Sequence, residues 1–515
     1  MENQTIDHRL QPPAPQWSNR VLIAAAIGIV FLTLFPFRFS LQTDLPANAS
    51  PFLLGAGEKD VKLFDDFLNV LLFVPFGFGV SEVLHKRGQS RASTLALSLV
   101  AGAAVSYTIE FLQIYLPARD SGWLDVWTNT AGCVAGSVMF ATCGPWLMRR
   151  VTGTEQALGS LLTPGRTAWI LILYFGCWFA ISFPLQKQTR IDHWGRDSLL
   201  VVGNDASGRP ATAWKGKVTL LQMWDHALPD ALASALSSGR ALGDLSTGLR
   251  AAYTLSGPPP FQDKMNFLPE LAREPKSRAQ AGPAEFELDG TSWAVSRAPV
   301  SALTAALQST NQFAIHIVCV PAEATGGSGR IVSISRPSDG ADLTVRQENG
   351  KLVFWFRNAL SVKRATLAWY VGDVFARNQV RDVLYSFDGS DLSLYVDGKK
   401  EPLVYELGPA ASLAGFLRNV RPAELEGYRD IYYALVFFPA GILLGVAARS
   451  LARPSLATWL VLAAGWLLPP FLFEHFLIWL SGRPLRPGLV LLSLLLVVGG
   501  ALWINADRAS KADLA

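Results

Sequence analysis

Eight apolar runs, each long enough to cross about 30 Å of hydrocarbon, constrain this chain more than any other feature. They fall near residues 21–38, 67–84, 93–116, 124–147, 167–185, 430–448, 456–480 and 487–504. A segment held in lipid must pair every backbone N–H and C=O internally, so each run is expected to be a helix. Half of the 515 residues are hydrophobic and 17% are charged, too apolar a balance for an ordinary soluble protein. The first run, "VLIAAAIGIVFLTLFPF", ends without a small-residue cleavage site and reads as an uncleaved anchor.

The net charge of +4 is spread out, with no Lys/Arg tract interleaved with aromatics, so no nucleic-acid partner is expected. Three of the four cysteines lie inside apolar runs, and the six histidines show no ligand spacing. No disulfide framework, metal site or cofactor is expected from that set. The loops "HKRGQSR", "MRRVTGTEQALGSLLTPGR" and "ARSLARP" are basic, whereas the loop after the first run holds Asp44, Glu58, Asp60, Asp65 and Asp66. Basic loops stay cytoplasmic. This places both termini inside a plasma (inner) membrane and the long polar stretch outside; Arg483 and Arg486 in "SGRPLRPG" dissent, being basic residues in a loop expected outside.

Between runs five and six the texture changes to short alternating stretches, as in "GRIVSISRPSDGADLTVRQENGKLVFWFRN". Period two around Asn349-Gly350 predicts a hairpin with a type I′ turn, and Asp388-Gly389 and Asp397-Gly398 mark further turns. The expected fold is an α-helical multi-pass membrane protein with an inserted extracytoplasmic antiparallel β-sandwich. "FELDGTSW" sets Glu287 and Asp289 two apart, but Gly290 follows at once and a turn is the expectation. No catalytic residue is assigned there.

"LRAAYTLSG", "NQFAIHIVCV" and "YSFDGSDLSLYVDGK" resemble strands of the concanavalin A-like, laminin-G type sandwich. The segment matching that family's last strands, residues 199–236, comes first here, which implies a circular permutation. Such sandwiches bind glycans in some relatives and cut them in others, so the resemblance alone assigns no activity.

Polar residues recur at one end of the first helices. Asp66 and Asn69 open the second run, Glu110 and Gln113 close the third, Arg119 follows, and Asp125 and Asn129 open the fourth. A carboxylate inside a span is costly and marks a functional site by default, although amides and acids also serve as glue between helices. These residues, in "DDFLNVLLFVPFGFG" and "EFLQIYLPARDSGWLDVWTNTAG", resemble the VanZ-like family, named for a protein associated with resistance to the glycopeptide teicoplanin. The resemblance implies an envelope membrane protein.

A shift of 364 residues superposes Asp66 on Asp430, Pro75 on Pro439, Gly77 on Gly441, Glu110 on Glu474 and Arg119 on Arg483 without a gap. The membrane part therefore reads as two four-helix units. The expected division is a tail over 1–20, a first unit over 21–148, a loop and fifth span over 149–185, the sandwich over 186–428, a degenerate second unit over 429–505 and a tail over 506–515. The second unit has Tyr433, Leu477, Leu489 and Ser493 where the first has Asn69, Gln113, Asp125 and Asn129, so Glu474 is expected to be residual.

Together these readings predict an envelope protein whose first unit binds a membrane lipid or lipid-linked glycan through Asp66, Asn69, Glu110, Gln113, Arg119, Asp125 and Asn129. The sandwich would meet a glycan or protein partner. A membrane-embedded enzyme acting on a lipid-linked precursor, with Glu110 as general base, and a transporter built on parallel repeats are the alternatives.

Overall fold

The structure, a computed structural model, describes residues 17–34, 39, 63–116, 121–240, 246–274, 286–337, 340–363, 368–417, 420–450 and 456–512. Every expected span is a helix: α1 (Trp17–Leu34), α2 (Leu63–Lys86), α3 (Arg91–Gln113), α4 (Trp123–Leu161) and α5 (Pro164–Lys187) precede the β-rich region. Within that region lie the short helices α6 (Asp230–Leu236), α7 (Ser301–Thr310) and α8 (Pro409–Leu417), and after it come α9 (Leu425–Ser450), α10 (Leu456–Ser481) and α11 (Pro487–Ala512). Among the described residues seven are long and apolar enough to cross a membrane, and the apolar part of α1, Arg20–Leu34, is shorter. The basic segment after residue 147, read as a loop, continues α4 to Leu161. It has no proline until Pro164, so nothing in the backbone stops the helix earlier.

The chain folds into two compact units. One comprises Met1–Leu171, Phe438–Trp466 and Leu496–Ala515, the other Ile172–Phe437 and Leu467–Leu495. Helices α5, α9, α10 and α11 contribute residues to both.

In the first unit glycines set the closest helix approaches. A Cβ on Gly77 would strike the Cys133 carbonyl, and one on Gly136 would strike Val74 O and Phe78 N. The same contacts recur 364 positions later: Gly441 lies against the Val497 carbonyl, and Gly500 against Phe438 O and Ile442 N. Helices α9 and α11 thus cross as α2 and α4 do, residue for residue.

The second unit holds two antiparallel sheets. The first runs β11 (Trp369–Val371), β10 (Lys351–Phe356), β9 (Gly340–Glu348), β8 (Ser328–Arg336), β1 (Leu199–Val202), β6 (Trp293–Ser296), β4 (Leu271–Glu274). The second runs β14 (Lys399–Lys400), β13 (Asp391–Val396), β12 (Arg381–Phe387), β7 (Phe313–Pro321), β2 (Lys215–Trp224), β3 (Leu249–Thr254), with β5 (Leu288–Asp289) beside β2 and β15 (Tyr405–Glu406) beside β13. They share a core in which Phe313 of one sheet meets Phe354 of the other with ring centroids 6.2 Å apart. Asn349 and Gly350 both take positive φ, 49° and 81°, as a type I′ turn requires. Asp289 accepts from the backbone N–H of Thr291 and Ser292 and is the turn residue expected.

The segment placed first in sequence is central in both sheets: β1 pairs with β6 and β8, and β2 pairs with β3 and β7. Beyond the sheets, side chains of this unit complete the end of α10. Arg190 Nη1 donates to Leu480 O at 2.8 Å, Asn311 Nδ2 to Ser481 O at 2.9 Å and Gln312 Nε2 to Gly482 O at 2.7 Å. These are carbonyls that a helix terminus leaves without intrahelical partners.

Candidate functional site

Helices α2, α3 and α4 carry the expected polar residues of the first unit, and the structure gives partners to several of them. Asn69 Nδ2 donates to Asp125 Oδ1 at 2.8 Å. Glu110, only 2% exposed, accepts from the backbone N–H of Gly122 at 2.8 Å. Gln113 Nε2 reaches Thr33 O of α1 at 3.0 Å. Asn129 Nδ2 donates to Ser106 Oγ at 2.9 Å, while its buried Oδ1 has no hydrogen-bond partner among the described residues. Asp66 is partly buried in the first turn of α2, with no hydrogen bond to the others among the described residues. Arg119 lies outside the described residues.

Sequence reasoning missed Ser106, Thr33 and Gly122. Ser106 had a signal, because it lies four residues before Glu110 and so on the same face of α3. That face is buried along the helix as Thr94, Ser98, Gly102, Ser106 and Glu110. Further along, the Ser81 hydroxyl bonds those of Ser98 and Ser137 at 3.0 and 2.7 Å, so three helices meet through hydroxyls and a glycine. The second copy has Gly445 and Ala501 where Ser81 and Ser137 stand, and they are again in close contact, without the side-chain hydroxyls.

The counterpart of Glu110 has polar partners of its own. Glu474 is 1% exposed and is held by Arg483 through Nη1 and Nη2, each at 2.8 Å, and by the Tyr433 hydroxyl at 3.0 Å. Tyr433 occupies the position of Asn69 and supplies the donor that the sequence comparison counted as lost. The reading failed because it scored an aromatic as apolar, although a buried phenol finds a partner.

Arg486, the other dissenting cation, is ringed by acids. It lies 2.8 Å from Asp391, 3.3 Å from Asp388 and 3.4 Å from Glu406, whose other oxygen meets Arg429 at 2.8 Å. Burial pushes Glu406 up to about 7, with Asp391 adding to the effect and Arg429, Arg486 and Arg483 opposing it. Burial likewise lifts Asp391 to about 6 against the pull of Arg486, with Asp388 adding. Burial works against the charge on Arg486, but Asp391, Asp388 and Glu406 outweigh it and hold the guanidinium above its ordinary value. Both arginines of "SGRPLRPG" are therefore neutralised locally.

Residues 21–144 match the VanZ/LLP1 family. This range contains all seven expected site residues and supports a VanZ-type envelope protein with a helical membrane part. The β-rich region lies outside it. No curated protein and no solved structure matches the chain.

Proposed function

We propose that the first helical unit holds the polar part of a lipid or lipid-linked glycan against Glu110, Asp125 and Arg119, with Asn69, Gln113 and Asn129 orienting them. The observation that carries this reading is the buried Asn129 Oδ1, without a hydrogen-bond partner among the described residues, on a side chain held by Ser106 one turn before the buried Glu110. A polar atom left so is costly unless something occupies it in use. Glu110 accepts from Gly122 N–H and Asp125 from Asn69, so both carboxylates are held in place, a geometry suited to positioning.

In the same reading the chain is a multi-pass plasma-membrane protein with both termini cytoplasmic. The sandwich, of concanavalin A-like, laminin-G type and permuted, lies outside and meets a glycan or protein partner. The local neutralisation of Arg483 and Arg486 supports this orientation, because it removes the basic loop that opposed it. A link to glycopeptide (teicoplanin) resistance belongs to the same reading and is suggested by the VanZ match to residues 21–144. Lipid analysis of the purified protein tests the reading. An undecaprenyl-linked or phospholipid species retained by the native chain and lost in Glu110→Gln supports it, and equal retention by both overturns it.

A further inference from the structure

A small cavity lies in the second unit beside the Glu474–Arg483 pair, with room for about one water-sized group until a side chain moves out of it. Four of its lining residues are Tyr433, Leu477, Arg483 and Leu489. At the offset of 364 these are the counterparts of Asn69, Gln113, Arg119 and Asp125. The second copy carries a different chemistry at these positions. Leu489 stands for an acid, and Arg429, which also lines the cavity, stands for Asp65. The helical walls have therefore exchanged acidic positions for an arginine and a leucine. The sheet side contributes Glu406, which meets Arg429 at 2.8 Å.

We propose that this cavity binds a phosphate group, free or carried on a lipid headgroup, between Arg429 and Arg483, with the Glu406 carboxylate as the group it displaces. Displacing Glu406 frees Arg429 Nη1 for the oxyanion, and the charge of Arg483 on the same cavity wall strengthens such a charge-assisted bond. Arg483 is oriented by its two contacts to Glu474, and Arg429 by Asp430 at 2.8 Å, so neither depends on Glu406 for its position. The charged groups facing Glu406 are Arg429, Arg486, Asp391 and Arg483. When Glu406 takes a proton, its hold on Arg429 weakens and the oxyanion replaces it. Binding therefore strengthens as pH falls through about 7.

The proposal rests on the second copy and not on Glu110, so its failure leaves the first pocket's reading standing. It is tested with the full chain in detergent, following thermal unfolding with inorganic phosphate against chloride at matched ionic strength, at about pH 6 and about pH 8. Native mass spectra of protein extracted from phosphatidylglycerol-containing membranes are recorded in parallel. A rise in Tm with phosphate, larger at the lower pH and lost in Arg429→Gln, supports the site. Glu406→Gln should keep the rise and show only the pH dependence of phosphate's own ionisation, which weakens the dianion at the lower pH, and this guards against Arg429→Gln acting only through misfolding. Retained phospholipid that phosphate displaces assigns the lipid as source, and a Tm rise without retained lipid assigns the free anion. No rise together with no retained phospholipid, or an equal rise in Arg429→Gln, overturns it.

Discussion

Arg483 holds Glu474 through two N–H···O contacts of 2.8 Å each, with both side chains buried. Removing one partner of a buried pair leaves an uncompensated charge and costs about 3–5 kcal/mol. Arg483→Gln should therefore lower the melting temperature and the amount of protein recovered from membranes. Adding Glu474→Gln should restore part of the loss, because no charge then remains unpaired. An unchanged melt in the single variant would contradict this account.

Glu110 should behave differently from its counterpart. A glutamine at 110 can still accept from Gly122 N–H, so Glu110→Gln removes charge and keeps the local bond. Membrane levels should stay near normal while the phenotype of deleting the protein appears in full. Protein loss equal to that of Arg483→Gln would instead make the carboxylate a structural tie between helices.

The repeated glycine contacts predict symmetric packing defects. Alanine at Gly136 or at Gly500 would place a methyl on backbone atoms of the facing helix, and overpacking of this kind costs about 1–3 kcal/mol. Both variants should melt earlier than the parent, whereas Gly28→Ala, with nothing within 4 Å of the new carbon, should not. Differential scanning fluorimetry of the three side by side decides it.

Strands β1 and β2 sit inside their sheets, so a fragment over 190–420 should give a cooperative β-rich melt. One starting at 245 lacks the strands that join β8 to β6 and β7 to β3, and it should expose the core and aggregate. Circular dichroism and size exclusion report both outcomes. A monomeric, equally cooperative short fragment would show that β1 and β2 are dispensable.

The acids around Arg486 predict an unusual pH slope. Glu406 and Asp391 hold protons in the folded chain, at about 7 and about 6, that the unfolded chain releases until lower pH. Their contribution is complete below the unfolded carboxylate range and is lost as pH rises through the folded values. Stability should rise from about pH 8 to about pH 5, and Glu406→Gln should flatten the curve by up to about 1.4 kcal/mol per pH unit. A steeper slope in the variant would refute the assignment.

The helices, the hairpin at Asn349-Gly350 and the offset are all legible in the residues alone. A run of apolar residues in lipid has no solution for its backbone but a helix, and Asn349-Gly350 supplies the two positive φ values that a two-residue turn demands. The offset of 364 also carried through, because close helix crossings need a glycine at one site on each partner, and both copies keep it. What only the tertiary structure decided was partnership. Periodicity puts Glu110 and Ser106 on one face of α3 but does not say that Gly122 and Asn129 meet them. It counted Tyr433 as a lost amide, although its hydroxyl reaches Glu474 across 41 positions of chain. Nor could it bring Asp388, Asp391 and Glu406 to Arg486, since those acids arrive on strands and turns up to 98 residues away and their approach is set by how the sheets pack. Local pattern fixes the direction a side chain takes from its own backbone, and the group that it meets depends on contacts between distant segments.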